Sequence, residues 1–446
     1  MMKLPVFCVL FVCSNFSVIS VKSHELCGDC LILTPYIKNG STDLAKQLSE
    51  VNSTQFLDLR SHSGFITVNE KYDSNLFFWY FPFKGNISTT PLIIWLQGGP
   101  GYTSLKGLFD INGPLDVSSG KVKKRQFSWN SDYSMLFLDN PVGTGFSFTG
   151  DDRGYTDNED DVGDQMHTFL VQFLKIFPEL QEAPLFVAGE SYAGKYVPAL
   201  AIQIHRRMEK HPINLKGIAI GNGLIDPLSM LHYTEFCRIL GLLENRELEV
   251  LKAIEDSAIK AIKEEKMLDA ALAFNKTLEY IKKHSGVSLF NFNEEQNNSV
   301  PAFEEFVQRD DIRAHIHTGN ASFDLNNQLV YEKMQIDIMN TTKPFVEELL
   351  EHYGVLCYSG QLDVMLPYGL SINLYSSLKW SKRDEYVEAP RRRLRNAGNK
   401  RIVAFKKNGG NFADVLLRRA GHMVPSEQPE IAKFIIDKFI LEYKDL

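Results

Sequence analysis

Leu185-Phe-Val-Ala-Gly-Glu-Ser-Tyr-Ala-Gly-Lys-Tyr-Val-Pro198 is a short apolar run that ends among small residues and passes at once into a helix-forming stretch. An apolar run of this length, closed by glycine, reads as a buried strand. Ser191 stands at the turn between strand and helix. A side chain presented from so sharp a turn needs small neighbours two places away on either side, and Gly189 and Ala193 fill those places. The helix that follows sets backbone N–H groups and a positive dipole end near the hydroxyl. The pattern alone is weak, because a glycine-rich turn with an incidental serine matches it equally well. A serine hydroxyl also needs a base, and the base needs an orienting acid.

Both are offered downstream in the order acid, then histidine. Val355-Leu-Cys-Tyr-Ser-Gly-Gln-Leu-Asp363 is a strand followed by a loop bearing an aspartate, and Val415-Leu-Leu-Arg-Arg-Ala-Gly-His422 is a strand followed by a loop bearing a histidine. Open α/β sheets place their sites just past strand ends. The chain order Ser191, Asp363, His422 is that of the α/β-hydrolases. The chain has 11 histidines, so a lone one is usually structural; Gly421, directly after a strand, singles out His422. A reacting carbonyl also needs two N–H donors for its developing charge. Tyr192, next after the serine, offers one. The loop Trp95-Leu-Gln-Gly-Gly-Pro-Gly101 at the end of Leu92–Leu96 offers the other. It lacks the Lys-Ser/Thr ending and the spacing of phosphate-binding loops.

Outward from these segments, short apolar runs alternate with amphipathic stretches, which predicts a mostly parallel sheet flanked by helices. Strands are expected at Phe77–Tyr80, Leu92–Leu96, Met135–Leu138, Leu185–Ala188, Gly217–Ile220, Val355–Tyr358 and Val415–Leu417. Helices are expected at Asp160–Phe177, Lys195–Met208 and Ile431–Tyr443. Leu243–Tyr280 is rich in Glu, Lys, Ala and Leu at helical spacing. The expected division is a signal peptide over 1–23, a first core segment over 24–225, an inserted mainly helical cap over 226–345, and a second core segment over 346–446. Arg391–Arg395 is read as a solvated loop. The acidic stretch Asp151–Asp164 lacks the ligand alternation of a calcium loop and reads as a solvated lead-in to a helix N-terminus.

The N-terminus is a basic start, an apolar run (Leu4–Cys13) too short to span a bilayer, and small residues at Val21-Lys22-Ser23. That is the form of a cleaved signal peptide. The formal net charge is −7, and losing Lys3 and Lys22 makes the chain more acidic still. Nucleic acid and anionic membrane would repel it. Asn-x-Ser/Thr acceptors stand at Asn39, Asn52, Asn86, Asn275, Asn297, Asn320 and Asn340. Four cysteines remain after cleavage, too few for a disulfide scaffold; Cys27 and Cys30 are spaced for a small local bridge, and Cys357 lies in an apolar run suited to a core.

Taken together the motifs resemble the serine carboxypeptidases, most closely the vitellogenic-like carboxypeptidases. They are Trp95–Gly101, Asn112-Gly-Pro114, Ser128-Trp-Asn130, Leu136-Phe-Leu-Asp-Asn-Pro-Val-Gly-Thr-Gly-Phe-Ser147, Gly189–Pro198, Gly221-Asn-Gly223, Tyr358–Asp363 and Ala420-Gly-His-Met-Val-Pro425. The resemblance runs from about Leu33 to the C-terminus. It implies an α/β-hydrolase fold with an inserted helical cap. It also implies Ser191 as nucleophile, His422 as base and then acid, and Asp363 as orienter, with the N–H groups of Gly99 and Tyr192 facing the oxyanion. Trp95, Gln97, Gly98 and Glu190 are implied to hold the free carboxylate of a peptide or protein C-terminus. A glutamate facing a carboxylate implies a shared proton, and so an acid pH optimum. The sequence departs from the family at three places. Gln97 stands where Asn is usual, Tyr102 where Cys often forms a disulfide, and Ile111, beside Asp110, where Glu is frequent.

The expected activity is acyl transfer to water through Ser191, with no metal or organic cofactor, in a secreted or lysosomal setting. An esterase or acyltransferase of the same fold and a non-catalytic secreted binding or protective protein are the rivals, and homodimerisation is left open.

Overall fold

Successive residues of one strand serve two different cores. Ile94 and Leu96 join an apolar cluster with Phe169, Phe173, Val197 and Leu200, while Ile93 and Trp95 join a second with Ile436, Phe439 and Tyr443. A strand covered on both faces needs no polar alternation, which is why these strands are continuous apolar runs. The computed structural model describes residues 26–51, 54–295, 299–396 and 398–446. The expected signal peptide and the acceptors Asn52 and Asn297 lie outside the described residues.

The strands are β1 (Glu50–Val51), β2 (Ser61–Asn69), β3 (Ser74–Phe81), β4 (Leu92–Leu96), β5 (Leu115–Asp116), β6 (Lys123–Lys124), β7 (Ser134–Leu138), β8 (Leu185–Glu190), β9 (Leu215–Gly221), β10 (Gly354–Gly360), β11 (Arg392–Arg395), β12 (Ile402–Gly409) and β13 (Phe412–Leu417). β5 and β6 form a separate ribbon. The others build an 11-stranded sheet in the order β1-β2-β3-β7-β4-β8-β9-β10-β13-β12-β11. From β7 to β13 the neighbours run parallel, and the strands outside them pair antiparallel. This is the α/β-hydrolase arrangement. The long helices Glu159–Ile176 and Ala193–Arg206 cover one face, and Pro429–Tyr443 covers the other.

Between β9 and β10 the chain is helical. Its longer helices are Asn245–Lys263 and Met267–Ser285, so the run Leu243–Tyr280 is broken near Glu265, which has a positive φ of 57°. Arg391–Arg395 is a correction: Arg392–Arg395 is not a loop but the edge strand β11, paired antiparallel with β12. Its arginine side chains remain exposed, and charge along an edge strand discourages pairing with another chain. The acidic lead-in also differs from expectation. Asn158 caps the helix by accepting from the Asp161 N–H, but Glu159, the first helical residue, is buried rather than solvated.

Cys27 and Cys30 form a disulfide, and Cys237 and Cys357 are free and buried. Among the described residues no helix is long and apolar enough to cross a membrane.

Candidate active site

Ser191 has φ 67°, a left-handed conformation that a non-glycine residue holds only when its surroundings enforce it. The enforcement is visible. The Ser191 N–H donates to Gly221 O, and Ser191 O accepts from the N–H groups of Gly194 and Leu224. The small residues have steric causes. A Cβ on Gly189 would fall 2.6 Å from Leu96 O and 2.7 Å from the Ala193 Cβ, and one on Gly194 would fall 2.7 Å from Leu224 N and O. The elbow therefore exists only with this side-chain pattern.

Strands β8, β9, β10 and β13 are neighbours, and their C-terminal ends carry Ser191, Asn222, Asp363 and His422 respectively. His422 Nδ1 lies 2.8 Å from Asp363 Oδ2, and both residues are buried. An ionised carboxylate only accepts, so Nδ1 carries the proton and Nε2 is left with its lone pair. Burial disfavours the imidazolium, but the charge and hydrogen bond of Asp363, with Glu190 and Glu427 behind it, outweigh burial and raise the His422 pKa. Among the described residues Ser191 Oγ makes no hydrogen bond to His422.

The loop after β4 reaches the elbow. A Cβ on Gly98 would fall 2.4 Å from Tyr192 N and 2.8 Å from Glu190 O, so only glycine allows the two segments to meet. The loop is anchored by buried Asp139, which accepts from Thr103 Oγ1 at 2.6 Å, Ser104 N at 2.9 Å and Phe146 N at 3.0 Å. Ser104 Oγ in turn accepts from the Gln97 N–H at 3.0 Å.

Trp95, Gln97 and Glu190 form one hydrogen-bonded line. Trp95 Nε1 donates to Gln97 Oε1 at 3.2 Å, and Gln97 Nε2 donates to Glu190 Oε1 at 3.0 Å. Glu190 is completely buried, and burial lifts its pKa to about 7 against the opposing pull of His422, Gln97 and Lys106. At neutral pH and below it is therefore a carboxylic acid about half the time or more. Ile111 is buried in the segment Gly107–Ile111, and the neighbouring Asp110 is held by Lys106 at 3.3 Å.

Some site residues carry no sequence signal. Asn222 donates from Nδ2 to Asp363 Oδ2, and its Oδ1 accepts from Gly360 N. Phe290 stacks on the His422 ring at 5.3 Å, and its carbonyl accepts from the His422 N–H at 2.7 Å. Glu427 accepts from Gly421 N and Asn291 Nδ2, bracing the histidine loop. Asn222 lies in a motif that drew attention only as a motif, and Phe290 lies far away in the helical segment. Of the described acceptor asparagines, Asn39, Asn86 and Asn320 are exposed. Asn275 and Asn340 are half-buried; the first accepts from Tyr331 Oη, and the second donates to Asp337 Oδ1.

Comparison with known proteins gives the family. The serine carboxypeptidase family model matches residues 51–442. A venom serine carboxypeptidase of Apis mellifera is 42% identical, covering 93% of this chain and 92% of the relative. A vitellogenic carboxypeptidase of Aedes aegypti is 39% identical, covering 92% and 90%. The human protein named probable serine carboxypeptidase CPVL is 37% identical, covering 93% and 90%. Among solved structures, the prohormone-processing carboxypeptidase KEX1(DELTA)P of Saccharomyces cerevisiae superposes with a TM-score of 0.80 over 89% of this chain and 96% of that one, at 23% identity, a likeness of fold. The chain belongs to the serine carboxypeptidase family.

Proposed function

We propose that this carboxypeptidase removes the last residue of a peptide through an acyl-enzyme on Ser191. Ser191 Oγ attacks the final peptide carbonyl while His422 Nε2 takes its proton. Asp363 holds the imidazole tautomer and offsets the imidazolium charge. The N–H groups of Gly99 and Tyr192 receive the oxyanion. His422 returns the proton to the departing amine, and then serves as base for the water that frees the acyl group.

One observation carries the exopeptidase reading. Glu190, adjacent in sequence to Ser191, is fully buried, hydrogen-bonded to Gln97 and proton-bearing near neutrality. A buried carboxylic acid beside a nucleophile is suited to hold a carboxylate, since each such pair shares a proton. Trp95, Gln97 and Gly98 complete that subsite.

Two groups then set the pH range. His422 must be neutral to act as base, and Glu190 must be protonated to hold a carboxylate. Neutral His422 with protonated Glu190 has the same proton count as imidazolium with carboxylate, so both limbs belong to the pair. Activity falls as pH rises through about 7, which favours acid conditions.

The helices between β9 and β10 support the reading of 226–345 as a cap. The signal-like N-terminus and the exposed acceptors Asn39, Asn86 and Asn320 support passage through the secretory pathway, with secretion or lysosomal delivery. The test of the catalytic reading is labelling by a peptidyl phosphonate followed by peptide mapping. The adduct is expected on Ser191 alone; a folded protein that stays unlabelled at acid pH would sink it.

A further inference from the structure

Behind the elbow lies a buried set of charges that the proposed chemistry does not use. Lys195, one helical turn past Ser191, is wholly buried, and its Nζ lies 2.6 Å from Asp337 Oδ2 and also donates to Asp337 O. Asp337 comes from the helical segment between β9 and β10. Its Oδ2 accepts from Tyr192 Oη at 2.8 Å as well, and its Oδ1 from Asn340 Nδ2 at 3.2 Å. Glu159, at the start of the helix Glu159–Ile176, faces the same group. The Tyr196 ring packs edge-on to Tyr192 at 5.1 Å. The same segment also touches the loop after β4: Asn327 N donates to Gly101 O, and Asn326 bridges Tyr102.

Two buried carboxyls therefore face one buried ammonium. Leaving a second negative charge unpaired in such a place is expensive. Burial first, and Asp337 second, push the Glu159 pKa well above the ordinary carboxyl range. The shift favours the uncharged form of Glu159, and Asp337 with Lys195 forms the ion pair. Both hydrogen bonds on Asp337 Oδ2 come from the turn that carries the Tyr192 N–H.

We propose that Asp337 is a positioning residue: by gripping Tyr192 Oη and Lys195 Nζ together, it fixes the first turn after Ser191 and so aims the Tyr192 N–H at the oxyanion. The inference rests on the oxyanion role of Tyr192. A donor held within a fraction of an ångström by groups outside the site is what preorganised charge stabilisation requires. It also makes the segment 324–340 part of the catalytic support.

The test measures amino-acid release and phosphonate labelling for the full chain and for Asp337→Asn, Tyr192→Phe and Glu159→Gln. For Asp337→Asn, kcat and labelling rate are expected to fall about tenfold or more with KM within about twofold. Tyr192→Phe, which removes one bond and keeps the ring, is expected to fall in kcat by a smaller factor. Glu159→Gln, which mimics the protonated acid, is expected to keep wild-type activity at pH 5. It should also lose the decline in thermal stability that the parent shows as pH rises from the ordinary carboxyl range toward the raised Glu159 pKa. Unchanged kcat and labelling in folded Asp337→Asn would overturn the proposal. If that variant does not fold, unchanged kcat in Tyr192→Phe would do the same. A parent protein with no Ser191-dependent release would instead remove the catalytic reading beneath it.

Discussion

Asn222 Nδ2 donates to Asp363 Oδ2 at 2.5 Å, the same oxygen that faces His422 Nδ1. Asp363 Oδ1 is occupied by the N–H groups of Met365 and Leu366. The carboxylate is thus fully engaged, and it cannot rotate without losing a bond. Asn222→Ala is expected to lower kcat by roughly 10–100-fold, the cost of about 1.5–3 kcal/mol for a hydrogen bond to a charged group. Asn222→Asp should be worse, because it sets two like charges together. Steady-state kinetics of the two variants check this, and KM should move little.

Gly98 and Tyr192 meet backbone to backbone. Gly98→Ala puts a methyl 2.4 Å from Tyr192 N, so either the loop or the elbow must shift. Losing one oxyanion donor costs about 10²–10³ in kcat. The variant is expected to fold and to react with the phosphonate at a rate reduced by a similar factor.

Glu190→Gln removes a negative charge that raises the His422 pKa. Below about 7 that carboxyl is already mostly protonated in the parent, so the acid limb of kcat/KM should move little. The alkaline limb, which comes from losing the Glu190 proton near 7, should flatten. The amide still donates one hydrogen bond, so kcat/KM at the optimum should fall by no more than about tenfold. A pH profile with the alkaline limb unmoved would show that Glu190 does not govern it.

Burial pushes the thiols of Cys237 and Cys357 up to about 12. Thiolate is the reactive form, so native protein should resist iodoacetamide near neutral pH and react at both cysteines only when unfolded. Mass spectrometry of alkylated peptides measures this.

The sequence was most legible where strands are covered on both faces. Leu92–Leu96 was expected and found with the same limits, because its run is apolar throughout. β12 is only half legible: its apolar run Ile402–Phe405 gives way to Lys406, Lys407 and Gly409 near the sheet edge. Arg391–Arg395 reads as a loop because four of its five side chains are charged, yet strand pairing of Arg392–Arg395 uses the backbone. In the site, Ser191, Asp363 and His422 announced themselves by chain order and by position after strands. Phe290 and Asp337 do not, because their contacts are made across long sequence separations that no local pattern encodes, and Glu427 joins its near neighbour Gly421 to the distant Asn291.

The measurement closest to the central claim is release of the last amino acid from an N-blocked dipeptide with a free C-terminus, across pH 4–8, for the parent enzyme and Ser191→Ala, beside the same dipeptide as its C-terminal amide. Release that peaks at acid pH, vanishes with Ser191→Ala and drops sharply for the amide is the expected result. Release that survives Ser191→Ala, or that treats acid and amide alike, would contradict the account.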